Sequence, residues 1–358
     1  MTTVTLDRVP AARAAFDPRA ADDKAMLRAA ADLTRDLNGP RPVFYWLDLI
    51  ASTGLGYAAL AGAILLGGWL AVAGGVIAVL ALYRAGSMIH EISHIKHAAL
   101  PHFRLGWNLL VGIPLLVPSF MYEGVHNLHH ARTRYGTSED PEYLPLALMK
   151  PWTLPVFVTA SLLAPIALLV RFAVLAPLSL LSAKLRAVVV ARYSSLSINP
   201  AFRRRLPEGK DRALWTRLEV ATSTWAIALV ASVATGLVPL RAFLIFLGVA
   251  SGVAVINQVR TLVAHLWENE GEAISVTAQY LDTVNVPPPA LLPVLWAPVG
   301  LRYHALHHLL PGVPYHNLAE AHRRISAALA ADSPYHRASY PGLPGLVTRL
   351  AAGTLRPR

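Results

Sequence analysis

Cysteine is absent from this chain of 358 residues. That absence removes disulfides, iron–sulfur clusters and thiolate zinc sites, so any metal must rest on histidine and carboxylate. Charge is also scarce: charged residues make up 15% of the sequence, where a soluble domain carries about 25%. With hydrophobic residues at 54%, the composition is that of a chain embedded in lipid. No signal peptide is legible in residues 1–42, where Arg13, Arg19, Lys24 and Arg28 mix with Asp17, Asp22 and Asp23 and no apolar core separates them. Acidic residues are the minority, 21 against 32 Lys and Arg, for a net charge of +11. The basic residues stand beside apolar runs, without interleaved aromatics or a recognition motif, so nucleic acid is not an expected partner. Positive-inside flanks explain them better.

The apolar runs set the architecture. Residues 43–66 and 69–89 are two runs of spanning length joined at Gly67 and Gly68, and residues 218–238 and 242–264 form a second such hairpin. The tail before the first run carries seven Lys and Arg while the Gly67–Gly68 join carries none, which places the tail in the cytoplasm. Met26, Ala30, Leu33 and Leu37 recur at helical spacing, so the tail should hold a short amphipathic helix, lying on the membrane or on the protein itself. Gly248 and Gly252, at small-x-x-x-small spacing, should allow close helix packing. Residues 105–120 are apolar but short and broken by Gly112, Pro114 and Pro118, which reads as an interfacial or re-entrant segment. Residues 152–181 are followed by a loop with nine Lys and Arg against Glu208 and Asp211, so this segment should dip in and return near residues 165–171. The expected fold is all-α: a polytopic membrane protein with two transmembrane hairpins (about four spans), interfacial helices and a cytoplasmic histidine-rich cap. Its parts are a cytoplasmic tail (1–42), a membrane domain (43–325) and a C-terminal tail (326–358).

Histidine carries the chemistry. His126, His129 and His130 form the pattern H-x-x-H-H, and His304, His307 and His308 repeat it near the C-terminal end. Upstream, His90 and His94 close the second apolar run. On a helix, positions i, i+3 and i+4 share a face, so each triplet aims its imidazoles one way. Eight such groups exceed what one zinc ion takes and fit two metals. His265 ends the last span in the same layer, four residues after Thr261 and eight after Asn257, which turns it from an interfacial anchor into a candidate ligand. Glu123, Asp140, Asn257, His97 and His316 are candidates for orienting or second-layer partners. His90-Glu91-Ile92-Ser93-His94 also matches H-E-x-x-H, in which Glu is the general base of a zinc protease. That reading needs one further ligand and leaves both triplets unexplained. A transporter or scaffold with pH-sensing histidines is the non-enzyme alternative, and protonation switching does not require such triplets. Two irons held by neutral imidazoles suit O₂-dependent oxidation of an unactivated C–H bond, and a site at the membrane implies a lipid-like substrate.

The boxes His90-x-x-x-His94, His126-x-x-His129-His130 and His304-x-x-His307-His308, at the ends of paired spans, resemble the membrane-bound fatty acid desaturase superfamily, over roughly residues 40–325. That superfamily also includes hydroxylases and carotenoid ketolases. The resemblance implies a di-iron centre on the cytoplasmic side of the cell membrane, with His265 as the further ligand between boxes two and three. It also implies O₂ as co-substrate and an external electron donor of ferredoxin or cytochrome type. The most direct expectation is an acyl-lipid desaturase that introduces a double bond, with hydroxylation or ketolation on the same scaffold as the alternative. The residues do not decide between them.

Overall fold

The computed structural model describes residues 17–356. Arg13 of the N-terminal tail lies outside them. The described chain is helical; among the described residues pairing is limited to isolated bridges such as His265–Thr283 and Asn285–Tyr303. In chain order, the helices that matter here are α1 (Lys24–Leu33), α2 (Pro42–Leu65) and α3 (Gly68–His94), then a long helical run α4 (Thr153–Leu181), α5 (Ala183–Tyr193), α6 (Gly209–Ala234) and α7 (Leu240–Leu262). They are followed by α8 (Leu318–Ala328) and α9 (Leu343–Thr354).

Five of these helices, α2, α3, α4, α6 and α7, are long and apolar enough to cross a membrane. At 1.5 Å per residue, even the 23 residues of α7 exceed the roughly 30 Å hydrocarbon core. Their outward faces carry large apolar side chains with no protein partner: Leu65 is 80% exposed and Val72 67%. On helices of this length and hydropathy, such surface marks a face turned to lipid. The α2–α3 hairpin is closed by small residues and one ion pair. A Cβ on Gly74 would sit 2.9 Å from the Ala59 carbonyl oxygen, so only glycine lets the two backbones meet there. Arg84 reaches Asp48 with two hydrogen bonds of 2.7 and 2.6 Å. On α7, Gly252 meets Val79 of α3, whereas Gly248 faces open space, so one of the two glycines mediates helix packing and the other does not.

Residues 103–121 descend and return. The Tyr57 hydroxyl, midway along α2, donates to the Leu110 carbonyl, and the chain reverses through Leu116, which has φ +61°. Asn108 staples the two arms: its amide donates to the Ser119 hydroxyl at 2.9 Å and its carbonyl accepts from the Ser119 backbone at 2.8 Å. The run α4 is helical over 29 residues, with 3₁₀ and π turns absorbing Pro165 and Pro177, and both its ends lie toward the histidine side, as expected for a segment that dips in and returns: Leu154 and Phe157 pack near Tyr135 and Trp267, and Arg171 pairs with Glu219. It crosses α7 at mid-length, where Ser251 donates to the Leu162 carbonyl, and then reaches Phe120 and Trp215 through Phe172. Arg171 of α4 and Arg186 of α5 both pair with the buried Glu219 of α6.

The remaining chain builds a cap over one end of the bundle. The predicted amphipathic helix is α1; Asp23 caps it by accepting from the Met26 backbone, and Met26 and Ala30 are buried against Ile325 and Tyr335. Of the two placements open to this helix, it takes the protein's own surface. Burying such a side chain contributes about 1.5–3 kcal/mol. Helix α9 closes the other flank, with Leu346 and Leu350 buried beside His265.

Candidate metal centre

The three boxes arrive at the cap from different elements. His90 and His94 occupy the last turn of α3, which projects beyond the apolar stretch. His126 and His129 lie on the helical turn His126–His129, with His130 at its C-cap. His304, His307 and His308 lie on the helix His304–Leu309. His265 stands beyond the end of α7, fixed by its bridge to Thr283.

These nine histidines converge in two groups. One holds His90, His94, His126, His130 and His307; the other holds His129, His265, His304 and His308; within each, one nitrogen per residue lies within 4.8 Å of all the others. Each H-x-x-H-H box is therefore split between the two groups. Facing Nε2 atoms come close: 3.0 Å for His126–His130 and His94–His307, 3.1 Å for His265–His304 and 3.2 Å for His304–His308.

The outer nitrogens explain why the inner ones face each other. His129 Nδ1 lies 2.9 and 3.0 Å from the two oxygens of Asp140, and His126 Nδ1 lies 3.0 Å from Glu142 and 2.8 Å from the Tyr122 hydroxyl. A carboxylate only accepts, so these rings carry their proton on Nδ1 and turn an Nε2 lone pair inward. An Nε2 pair at 3.0 Å is within reach of one shared cation as well as of an N–H···N hydrogen bond. His90 has both ring nitrogens buried without a hydrogen-bond partner. The donor set thus fits two divalent ions of the kind that imidazole binds.

Electrostatics favour the neutral, ligating form. Burial holds His126, His130, His265, His304, His307 and His308 well below the ordinary histidine range, and neighbouring histidines push the same way. His129 is the exception: burial lowers it, but the Asp140 carboxylate outweighs burial and holds it above. Burial pushes Glu142 up to about 7 and Asp282 up to about 7.

Of the candidate partners, Asp140 touches a cluster histidine. The others do not. Glu123 accepts from the Ser119 hydroxyl and pairs with Arg104, and His97 is bonded to Arg104. His316 stacks on Phe44 and accepts from the Arg41 backbone. Asn257 is exposed on the outside of α7. Its alignment with His265 fails because α7 stops at Leu262, so helical spacing does not carry on to residue 265. Instead Arg260 turns inward, buried, with its guanidinium 3.1 Å from His304 Nδ1. Residues outside the sequence reading also take part. The Tyr135 hydroxyl donates to Asp282 at 2.7 Å and lies 2.9 Å from His265 Nδ1. Glu142 and Tyr135 flank Asp140 in sequence, so proximity to box two was a usable signal; Asp282 lies in no motif. Glu91, the would-be protease base, commits Oε2 to the Tyr45 hydroxyl at 2.5 Å and the Tyr315 backbone at 3.0 Å, and its Oε1 stays 3.7 Å from His90 Nδ1.

Two sequence comparisons place the chain among known proteins. The family model for fatty acid desaturases matches residues 67–340. A ceramide hydroxylase of Caulobacter vibrioides (strain NA1000 / CB15N) is 48% identical over 330 residues, covering 91% of this chain and 93% of that protein. No solved structure matches.

Proposed function

Because this chain belongs to the fatty acid desaturase family and is an O₂-dependent oxidoreductase of lipid metabolism, we propose that it hydroxylates a ceramide-like membrane lipid at a di-iron centre. The observation that carries this reading is the convergence of nine imidazoles into two groups at one end of lipid-facing helices. Five histidines would hold one iron and four the other, and the pair would supply the activation of O₂. Of the O₂ molecule, one oxygen ends in the new C–OH and one in water, with two electrons and two protons delivered from outside.

The chain's own residues hold the geometry. Asp140 and Glu142 fix the rings of His129 and His126 in the Nδ1–H form, and Tyr135 with Asp282 fixes His265. The cap keeps water off the four-histidine group, all of whose members are buried. The lipid chain would lie among the spanning helices beneath it, and its alignment would select the carbon attacked.

Hydroxylation replaces the double bond that the motifs alone suggested as the first reading. The two outcomes diverge after the first hydrogen is removed, and a relative named as a hydroxylase at 48% identity weighs more than the family description. The histidine end should face the cytoplasm of the inner membrane. At the far ends of the spans only Arg241 stands near the turns, donating to the Ile64 carbonyl, while the long basic loop lies on the histidine side. The test is lipid profiling of a host expressing the chain under ¹⁸O₂, with ceramide, phospholipid and free fatty acid fractions analysed separately. A ceramide gaining one labelled oxygen supports the reading. Loss of two hydrogens without labelled oxygen would establish desaturation instead.

A further inference from the structure

The face of α7 that turns into the protein is apolar until its last turn. Val249 and Val253 join the core shared with α3, and Gly252 meets Val79. Two turns on, along the same face, comes Arg260. It is 8% exposed, its Nε has no hydrogen-bond partner, and among the described residues no carboxylate pairs with it. Solvent reaches the histidines from another side. A cavity of about 850 Å³ opens at the cap surface beside His94, with Lys96, Arg203 and Arg205 among its walls, and Arg260 does not line it. A guanidinium shut away from water without a counter-charge is costly, so an acceptor belongs at this position.

The acceptor that the chain itself offers is His304, whose Nδ1 lies 3.1 Å from Arg260 Nη2. His304 Nε2 faces those of His265 and His308 at 3.1 and 3.2 Å, so it is the nitrogen turned to the metal. A neutral imidazole that gives Nε2 to a metal keeps its proton on Nδ1 and has no lone pair there for a donor. In the loaded centre Arg260 and His304 therefore face each other as two donors, and the guanidinium needs an oxygen from outside the chain. One imidazole ring separates it from the facing nitrogens. An amphiphile with its chain along the spans would bring its first polar atom here. A single cation among imidazoles suits one neutral carbonyl, where a phosphate calls for a cluster of cations.

We propose that Arg260 reads the polar head of the lipid: its guanidinium donates to the carbonyl oxygen of the N-acyl amide and holds the carbon attacked within a few bonds of it. The inference rests on the hydroxylase reading above.

The experiment uses the full-length, iron-loaded protein in nanodiscs without reductant, so that lipid binds and does not react. The ligands are a ceramide, its ester isostere, which keeps the carbonyl and loses the N–H, and its (E)-alkene isostere, which loses both. Each competes with a spin-labelled ceramide. The variants are Arg260→Met and Arg260→Lys. Wild type should bind the ceramide and the ester about tenfold or more tighter than the alkene, because the alkene leaves a buried charged donor unpaired. Arg260→Met should bind all three alike, Arg260→Lys should recover part of the difference, and both should keep their iron. Under turnover, wild type should hydroxylate one carbon near the amide and Arg260→Met a spread of carbons. Wild-type discrimination in Arg260→Met would overturn the proposal. So would equal binding of ceramide and alkene by wild type with iron lost from both variants, which would mark Arg260 as a partner of His304 alone. Tighter binding of a free fatty acid than of ceramide, dependent on Arg260, would overturn the amide as its ligand. A desaturated product from a wild type that still discriminates would end the hydroxylase reading and leave the head contact standing.

Discussion

The two histidine groups draw on the same boxes yet live in different surroundings. The four-histidine group is buried throughout, and two of its rings have an acceptor on the outer nitrogen: Asp140 for His129, and Tyr135, itself bonded to Asp282, for His265. In the five-histidine group two members, His94 and His130, are only partly buried. There one outer nitrogen is firmly held, that of His126 by Glu142, while Glu91 stays 3.7 Å from His90. The first group is dry and over-determined. The second is near solvent and looser.

Ligand removal probes this contrast most strongly. His129→Ala strikes the dry group and His307→Ala the solvent-near one; each should cut turnover by more than about 100-fold, beyond the usual cost of losing an orienting partner. Iron analysis should show loss from the group that was struck, with the protein still in the membrane. Full iron and turnover in either variant would remove that histidine from the centre. Orienting partners come next. Asp140→Asn and Tyr135→Phe should each lower iron affinity or activity about 10- to 100-fold, whereas Glu123→Gln should leave iron content unchanged, because Glu123 bonds Ser119 and Arg104 rather than a cluster ring. A smaller effect is expected in chelation: a water-soluble chelator should strip the metal in two phases, the fast one lost in His307→Ala and the slow one in His129→Ala. A single phase would mean the groups are equally accessible. The smallest effect belongs to His316→Ala and Asn257→Ala, whose activity should stay within about twofold of wild type, since surface changes away from such contacts cost little.

Legibility followed the range of the interaction. Both spanning hairpins, the short re-entrant segment and the amphipathic α1 follow from hydropathy and helical period, which are local properties. The return of α4 to the side it started from also followed, from the basic loop after it; that it stays helical while doing so did not, because 3₁₀ and π turns absorb Pro165 and Pro177. All nine converging histidines were legible as candidates, eight from short motifs and His265 from its depth at a span end. Their partners were legible only near box two. Asp282 and Arg260 reach the centre through contacts between segments far apart in sequence, which no spacing rule encodes.

By itself the sequence determined that this chain lives in lipid, that its chemistry rests on imidazole, and which family it belongs to, because composition, period and motif are all carried by neighbouring residues. The tertiary structure alone decided that each H-x-x-H-H box serves both groups, that Arg260 and not Asn257 faces the site, and that one group is dry while the other opens on a basic cavity. Those outcomes depend on how helix ends meet in space, and burial and lone-pair direction exist only after they have met.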